Sequence, residues 1–351
     1  VIVGKNAQGK TSILEALSLI SQLKSFRTHR LEEIIQSSQN QMSISAELIK
    51  PTRSRVLLGV EGNRKTIRVD DKKVSASAKY PLMGMSVSFV PDDLYLLKGG
   101  PDKRREFFDY LALSIEPDAH LIYKTFHQAL KQRNTLLKRI KDGFSNADSL
   151  EIWTSQYVEA AQKVYQLRQR LLKRVVESLS LIYQSLFGIR ESLDVQYVHG
   201  FEQDSFDEMD FIARLERRRE AEKAVGYTLV GPHRDDFRFV LDGLDVKTAA
   251  SQGQTRSLVI ALKICQVELI RKIRGIDPLL LLDDIISELD EQRVQALIRY
   301  LSDYSGQLFV TTAEAPKLKR LHEQFSSFNL IELSASLKSE ISPLKADFSP
   351  I

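Results

Sequence analysis

Eight residues near the start, Gly4-Lys5-Asn6-Ala7-Gln8-Gly9-Lys10-Thr11, constrain this chain more than any others. They fit the spacing G-x-x-x-x-G-K-[ST], follow the apolar run Val1-Ile2-Val3 and precede an apolar helix from Ser12 to about Leu23. A strand, a glycine turn and a helix start aim successive backbone N–H groups and the positive end of a helix at one point, which suits phosphate. In that setting Lys10 neutralises the outer phosphates and the Thr11 hydroxyl ligates Mg²⁺. A plain glycine turn before a helix is the alternative, and the flanking strand and helix count against it. Val1-Ile2-Val3 reads as the end of a strand already begun, with no initiator Met, so an N-terminal segment is expected to be missing.

The 351 residues suffice for roughly two domains of about 150 residues each. A hydrophobic share of 43% with 27% charged residues is ordinary for globular proteins. The net charge of +4 is compatible with a polyanionic partner and too small to argue for one. A single cysteine, Cys265, excludes an internal disulfide and fits a reducing compartment. It lies in an apolar helical stretch and reads as core. No apolar run approaches the roughly 18 residues of a membrane span, and there is no signal peptide, so a cytoplasmic protein without a membrane partner is expected.

Short alternating runs at Met42–Ile49, Arg55–Glu61, Lys65–Val69 and Ser86–Val90 read as strands joined at Gly62-Asn63 and Asp70-Asp71. From Asp102 to about Lys223 the pattern is helical. One helix opens at Pro117 and runs to Lys141; another spans Leu150 to Phe187 and stops at Gly188. Strand-like pieces return at Thr228–Val230 and Phe237–Leu241. A helix from Thr255 to Arg274 then leads to the buried strand Leu279–Leu282, with a last strand at Gln307–Thr311. The expected architecture is α/β: one nucleotide-binding lobe from residues 1–100 and 226–351, with a helical lobe, 101–225, inserted.

Leu279-Leu280-Leu281-Leu282-Asp283-Asp284 is an apolar strand ending in two acids. A buried strand holds its first carboxylate rigidly, so Asp283 is the candidate Mg²⁺ ligand, and Asp284 can orient or deprotonate an attacking water. Taken alone this is also a strand running into a polar turn. Ser251-Gln252-Gly253-Gln254 opens the next helix upstream, a second N-terminus suited to an anion. A helix cap would look the same. Two phosphate sites crowd one lobe; a dimer, in which each copy's second site closes over the other's nucleotide, relieves the conflict.

In this order the three elements resemble the ABC-type ATPase head of the P-loop NTPases, which carries a mixed sheet. They correspond to its Walker A, signature and Walker B motifs, with Ser287-Glu288-Leu289-Asp290 as the D-loop. Further segments resemble the RecF family: Gly231-Pro232-His233-Arg234-Asp235-Asp236-Phe237, Phe89-Val90-Pro91-Asp92-Asp93-Leu94, and Lys98-Gly99-Gly100-Pro101 with Arg104-Arg105. This resemblance spans nearly the whole chain. It implies an ATP- and Mg²⁺-dependent homodimer that binds single- and double-stranded DNA at junctions and gaps. It also implies work with RecR and RecO in loading RecA, within recombinational repair, replication and the SOS response. The implied nucleotide contacts are Gly4, Lys5, Asn6, Ala7, Gln8, Gly9, Lys10, Thr11, Ser12, the Ser251–Gln254 turn and Thr312, with Lys10 and Asp284 catalytic. Ala7 stands where many relatives have glycine, and its methyl is tolerated if φ stays negative. Asp284 replaces the usual Glu, and Val310-Thr311-Thr312 lacks the switch histidine. Both departures imply weaker activation of the attacking water, and the resemblance implies slow, DNA-stimulated hydrolysis.

Between His120 and Lys141 there is no acid, while Lys124, Lys131, Arg133, Lys138, Arg139 and Lys141 are basic. On a helix these form a positive surface for phosphate contacts that fix position without reading sequence; a solvated face is the alternative. Arg217-Arg218-Arg219, flanked by Glu216, Glu220 and Glu222, reads as compensated. Lys103-Arg104-Arg105 is placed against the nucleotide lobe. His233 reads as structural rather than catalytic, and Trp153, Tyr157 and Tyr165 as core. Competing classes are an SMC-like chromosome ATPase, disfavoured by the lack of a long heptad arm, a transporter ATPase subunit, and a nucleotide-binding module without turnover.

Overall fold

A computed structural model describes residues 1–333 apart from 6, 29, 50–52, 75–85, 145–149, 189–190, 200–205, 286–288 and 313–328. The chain starts with β1 (Ile2–Val3), then passes through the phosphate loop into α1 (Lys10–Gln22). Helix α1 ends where Leu23 takes a left-handed φ of 59° and its N–H bonds the Leu19 carbonyl. Four antiparallel strands follow in sequential order: β2 (Gln41–Leu48), β3 (Ser54–Glu61), β4 (Arg64–Val69) and β5 (Lys72–Val74). The β4–β5 turn puts Asp70 and Asp71 at φ 47° and 63°, the paired left-handed geometry of a tight hairpin. Alternation in β3 drives Val56, Leu58 and Val60 into a core shared with Ile2, Leu14, Leu19, Leu279 and Leu281. Strand β6 (Ser86–Phe89) then enters a separate, parallel sheet.

Contacts divide the chain into two units. The first holds residues 1–94, the last turns of a long helix from Leu181, and everything from Gln252 on; the second holds Tyr95–Ser180 and Glu191–Ser251. The second contains α2 (Leu94–Lys98) from Tyr95 on, α3 (Pro101–Ile115), α4 (Ala119–Lys141) and α5 (Leu150–Phe187) as far as Ser180. It continues with β7 (Leu193–Val198), α6 (Glu208–Val225), β8 (Asp236–Leu241), β9 (Leu244–Asp245) and α7 (Val246–Ala249). The sequence places the boundary at residue 225, whereas here it falls at 251. The reason is pairing: β8 lies antiparallel to β7 from Leu193↔Leu241 to Val198↔Asp236, which keeps 226–251 with the helices. Strand β7 is unanticipated, and Thr228–Val230, read as strand, is irregular. Pro117 sits in the turn before α4 rather than at its first residue.

The first unit resumes with α8 (Gln252–Arg274), β10 (Leu279–Asp283), α9 (Glu291–Ser302), β11 (Leu308–Thr312) and β12 (Ile331–Glu332). Its parallel sheet runs β12-β1-β11-β10-β6. Leu279 and Leu281 face the shared core, while Leu280 and Leu282, pointing the other way, are equally inaccessible. Burial on both faces is what an unbroken leucine run in a parallel strand requires. Cys265 lies in the core of α8, and burial pushes its thiol up to about 12, an inert structural position. Among the described residues no helix is long and apolar enough to cross a membrane.

Candidate functional site

Three strands end side by side. Val3 of β1 lies in register with Thr312 of β11, and Thr311 with Asp283 of β10, so the loops following the carboxyl ends of the sheet converge. The phosphate loop leaves β1 there. Gly9 takes φ 96° at the N-cap of α1 and hands its carbonyl to the Ile13 N–H. Gly4 is needed for space: a Cβ there would come within 2.6 Å of Gln8 Oε1. Ala7 overturns its expectation, since it sits at φ 64°, where a methyl costs on the order of 1 kcal/mol. Asn6 lies outside the described residues.

The Lys10 ammonium folds back to donate to the Gly4 and Lys5 carbonyls at 2.7 and 3.0 Å. Ser12 is exposed on the first turn of α1. The Thr11 hydroxyl donates to Asp283 Oδ1 at 3.0 Å, and the Thr311 hydroxyl reaches the same oxygen at 2.8 Å. The Asp284 N–H donates to Thr311 Oγ1 at 3.0 Å, and Asp284 itself is turned out of the strand at φ 49°. Thr311 therefore organises both acids; Thr312, the expected nucleotide contact, is buried beside Val3. The strand register could have found Thr311, since it pairs with Asp283, but register cannot be read from one strand alone.

A hydroxyl and a carboxylate 3.0 Å apart are hard oxygen donors suited to Mg²⁺, which takes few protein ligands and completes its shell with phosphate and water. Among the described residues no group of three His, Cys, Asp or Glu side chains is placed to hold a metal ion.

The segment expected to form a second anion site opens α8. This helix begins at Gln252, three residues earlier than the sequence suggested, so Gly253 and Gln254 belong to its first turn. Ser251 and Gln252 are exposed. Arg293, near the start of α9, donates through Nε to the Gly253 carbonyl at 3.1 Å and to Ser257 Oγ at 2.8 Å. Its other end pairs with Asp290, whose carboxylate also caps α9. Arg293 thus ties the turn to the D-loop; Ser287 and Glu288 lie outside the described residues. Asp93, from the Phe89–Leu94 segment, pairs with Lys263 of α8 at 2.7 Å and accepts from the Val90 N–H, fastening β6 to α8. Burial pushes its carboxyl up.

In the second unit the remaining quoted segments meet. Arg104 forks onto both oxygens of Asp236 at 2.7 and 2.9 Å, and Arg105 donates to the Asp235 carbonyl at 2.6 Å. These arginines hold the Gly231–Phe237 segment of their own unit, not the nucleotide lobe. His233 contacts the Thr228 carbonyl at 3.0 Å and the Tyr157 hydroxyl at 3.3 Å; burial pushes its imidazole down to about 4, leaving it neutral. That is a structural histidine. Tyr157 and Tyr165 are core, with Trp153 half-buried.

On α4, Lys124, Lys131, Lys138, Arg139 and Lys141 are exposed, but Arg133 is 2% exposed and is removed from the basic surface. Its guanidinium donates to Glu222 at 2.6 Å, Thr228 Oγ1 at 2.8 Å and Thr154 Oγ1 at 3.1 Å. The spacing carries the signal: Lys124, Lys131 and Lys138 repeat every seven residues, whereas Arg133 falls in step with buried Phe126, Ala129 and Leu137.

A phosphate loop, a strand acid bonded to its threonine and an exposed second helix start define a P-loop ATPase head of the ABC type. The RecF/RecN/SMC N-terminal domain family matches residues 1–331. The chain is 33% identical to the DNA replication and repair protein RecF of Rippkaea orientalis, covering 89% of this chain and 86% of the relative. It is 35% identical to that of Geobacter metallireducens, with 91% and 87% covered. Among solved structures, the recombination mediator RecF with ATP superposes with a TM-score of 0.80 at 28% identity, over 89% of this chain and 85% of the other. An Smc head domain from Pyrococcus yayanosii, 11% identical at a TM-score of 0.51 over 100% of this chain and 92% of the other, shares the fold. The chain belongs to the RecF branch of the RecF/RecN/SMC family of DNA replication and repair proteins.

Proposed function

We propose that this chain is an ATP-driven DNA clamp in which two copies sandwich nucleotide between the phosphate loop of one and the Ser251–Gln254 turn of the other. The observation that carries the reading is the exposure of Ser251 and Gln252 while Arg293 bonds the Gly253 carbonyl of the same turn. A helix start that needed only a cap would not require such bracing.

Lys10, released from the Gly4 and Lys5 carbonyls, binds the outer phosphates, and the loop N–H groups bind those further in. Thr11 and Asp283 would hold Mg²⁺, which supplies charge neutralisation when bound. Asp284 orients the attacking water and takes its proton as the bond to ADP breaks, giving ADP and phosphate. Asp284 is shorter than glutamate and no histidine follows β11 at Thr311-Thr312. Both features support slow turnover that resets the clamp rather than drives work. DNA is held independently of sequence, with the exposed bases of α4 as phosphate contacts. The dimer acts at single-strand/double-strand junctions with RecR and RecO to assist RecA loading. The likeness to the ATP-bound recombination mediator RecF of the RecFOR pathway supports that assignment.

Sedimentation with ATP and Mg²⁺, with and without gapped DNA, tests the clamp. The expected result is a monomer alone, a dimer with ATP and tighter DNA binding by the dimer. Lys10→Ala should abolish all three responses, while Asp284→Asn should retain ATP-dependent dimers and slow turnover. A Lys10→Ala protein that still dimerises on ATP refutes the sandwich.

A further inference from the structure

The Gly231–Phe237 segment has no part in the nucleotide site, and the arginines of α6 read as neutralised in the sequence. The structure separates those arginines. Arg219 turns to Glu216 and Glu151. Arg214, Arg217 and Arg218 stand at i, i+3 and i+4 and share the other face of α6. They open onto a recess of about 550 Å³ that also receives Arg234, His199 and the backbone of Leu229 to Gly231.

Among the described residues four arginines and no lysine line this recess, and the one acid among them, Asp235, is turned inward. Asp235 accepts from the Tyr197 hydroxyl at 2.6 Å and lies 3.9 Å from Arg168, so its charge is already engaged. Three acids of α6 are engaged away from the recess: Glu216 with Arg219, Glu220 with Lys223 and Glu222 with Arg133. Asp210 reaches Arg217 at 3.4 Å. Arg218 and Arg234 are both exposed, Arg234 stacking over Tyr227. Like charges at i and i+4 repel, so the fold tolerates a cost here that an anionic ligand would remove. Planar guanidinium forks match phosphate oxygens better than ammonium groups do.

Two features point to a polymer rather than a lone anion. The recess lies on α6, and the C-terminal end of α6 packs at Gly226 against Lys138 and Lys141 of α4, which carries the other basic stripe of this unit. Its rim also carries apolar surface from Val198, Leu229 and Val230. We infer that the recess between α6 and the Gly231–Asp235 loop binds backbone phosphates of DNA, continuing the track begun on α4. Gly231 is indispensable to its shape: φ is 129°, and a Cβ would overlap the Tyr157 hydroxyl.

This inference rests on the DNA-clamp reading, and the experiment separates the two. The whole 351-residue chain, with ATP, is titrated against gapped duplex DNA over a potassium chloride series, alongside Arg218→Ala/Arg234→Ala and Lys124→Ala/Lys131→Ala. The recess variant should lose roughly tenfold in affinity, and its salt slope should fall by about 2. Its melting temperature should hold or rise, because like-charge contacts are removed. Arg218→Lys/Arg234→Lys should keep the slope while losing part of the affinity. Unchanged affinity and slope in the alanine pair, with DNA still bound and the α4 variant impaired, overturns the recess but leaves the clamp standing. No DNA binding by the parent chain overturns both. If polyglutamate binding depends on Arg218 and Arg234 while DNA binding does not, the recess receives an acidic protein segment and the inference fails.

Discussion

Replacing Glu222 with alanine tests whether Arg133 is a structural ion or a DNA contact. Glu222 is fully buried and Arg133 is 2% exposed. The Glu222 carboxylate accepts from Arg133 at 2.6 Å and from the Leu229 N–H at 2.7 Å. Alanine would strand a buried guanidinium with two threonine hydroxyls and the Tyr157 ring but no counter-charge, and orphan one backbone donor. Breaking such a pair from one side costs about 3–5 kcal/mol. Arg133→Met/Glu222→Leu should cost much less than the sum of its single changes, because no bare charge is left. Trp153, the sole tryptophan, precedes Thr154 on α5, so its fluorescence during urea unfolding reads this unit directly. A loss below about 1 kcal/mol for Glu222→Ala would mean that water reaches the pair, and Arg133 would return to the candidate DNA surface.

Acid titration of the same unit sets two neighbours against each other. The His233 imidazole, pushed down to about 4, contributes stability above pH 6.5 that is lost as pH falls to 4. The Asp235 carboxyl, pushed up to about 6 by burial, contributes stability below pH 3.8 that is lost as pH rises through 6. Each swing is on the order of 3 kcal/mol and they nearly offset between pH 6 and 4. Relative to the parent, His233→Gln should therefore gain stability on acidification across that window and Asp235→Asn should lose it; parallel curves for all three proteins would contradict the assignment. Gly231→Ala should fail to fold or lose at least about 3 kcal/mol, measured by the same urea unfolding, because a left-handed backbone and a buried hydroxyl both oppose the methyl. Thr311→Val should cut ATP turnover roughly tenfold or more while altering ATP affinity by a few-fold at most, since it positions Asp283 and Asp284 without reaching the loop. Comparable losses in affinity and turnover would refute that division.

The nucleotide site was legible in the sequence because each part is local: a loop of fixed spacing, a leucine strand ending in acids, a glycine at a helix start. What escaped depends on partners distant in sequence. Thr311 acquires its role from the register of β11 on β10, and β7 exists because β8 offers it an edge. Arg133 looks like its basic neighbours until helical phase sets it opposite Lys124, Lys131 and Lys138. Charge counting along α6 held for Arg217 and Arg219, which pair with Asp210 and Glu216, but it averages over residues that point apart and so hid the exposed Arg218. The expected φ of Ala7 was wrong because sequence spacing says nothing about handedness at a single residue.

Strand β1 lies between β11 and β12, so the loop at the head of the chain gains its neighbours from segments translated more than 300 residues later. The helical unit draws on residues 95–251 and can consolidate while synthesis continues. Strand β1 must wait on the ribosome for its sheet neighbours, with the core around Ile2 and Leu14 only part-filled by β3 until β10 and β11 emerge. Competence to take up nucleotide therefore arrives last, and a ribosome stalled shortly before residue 308 would leave an arginine-bearing unit folded beside a sheet that cannot close.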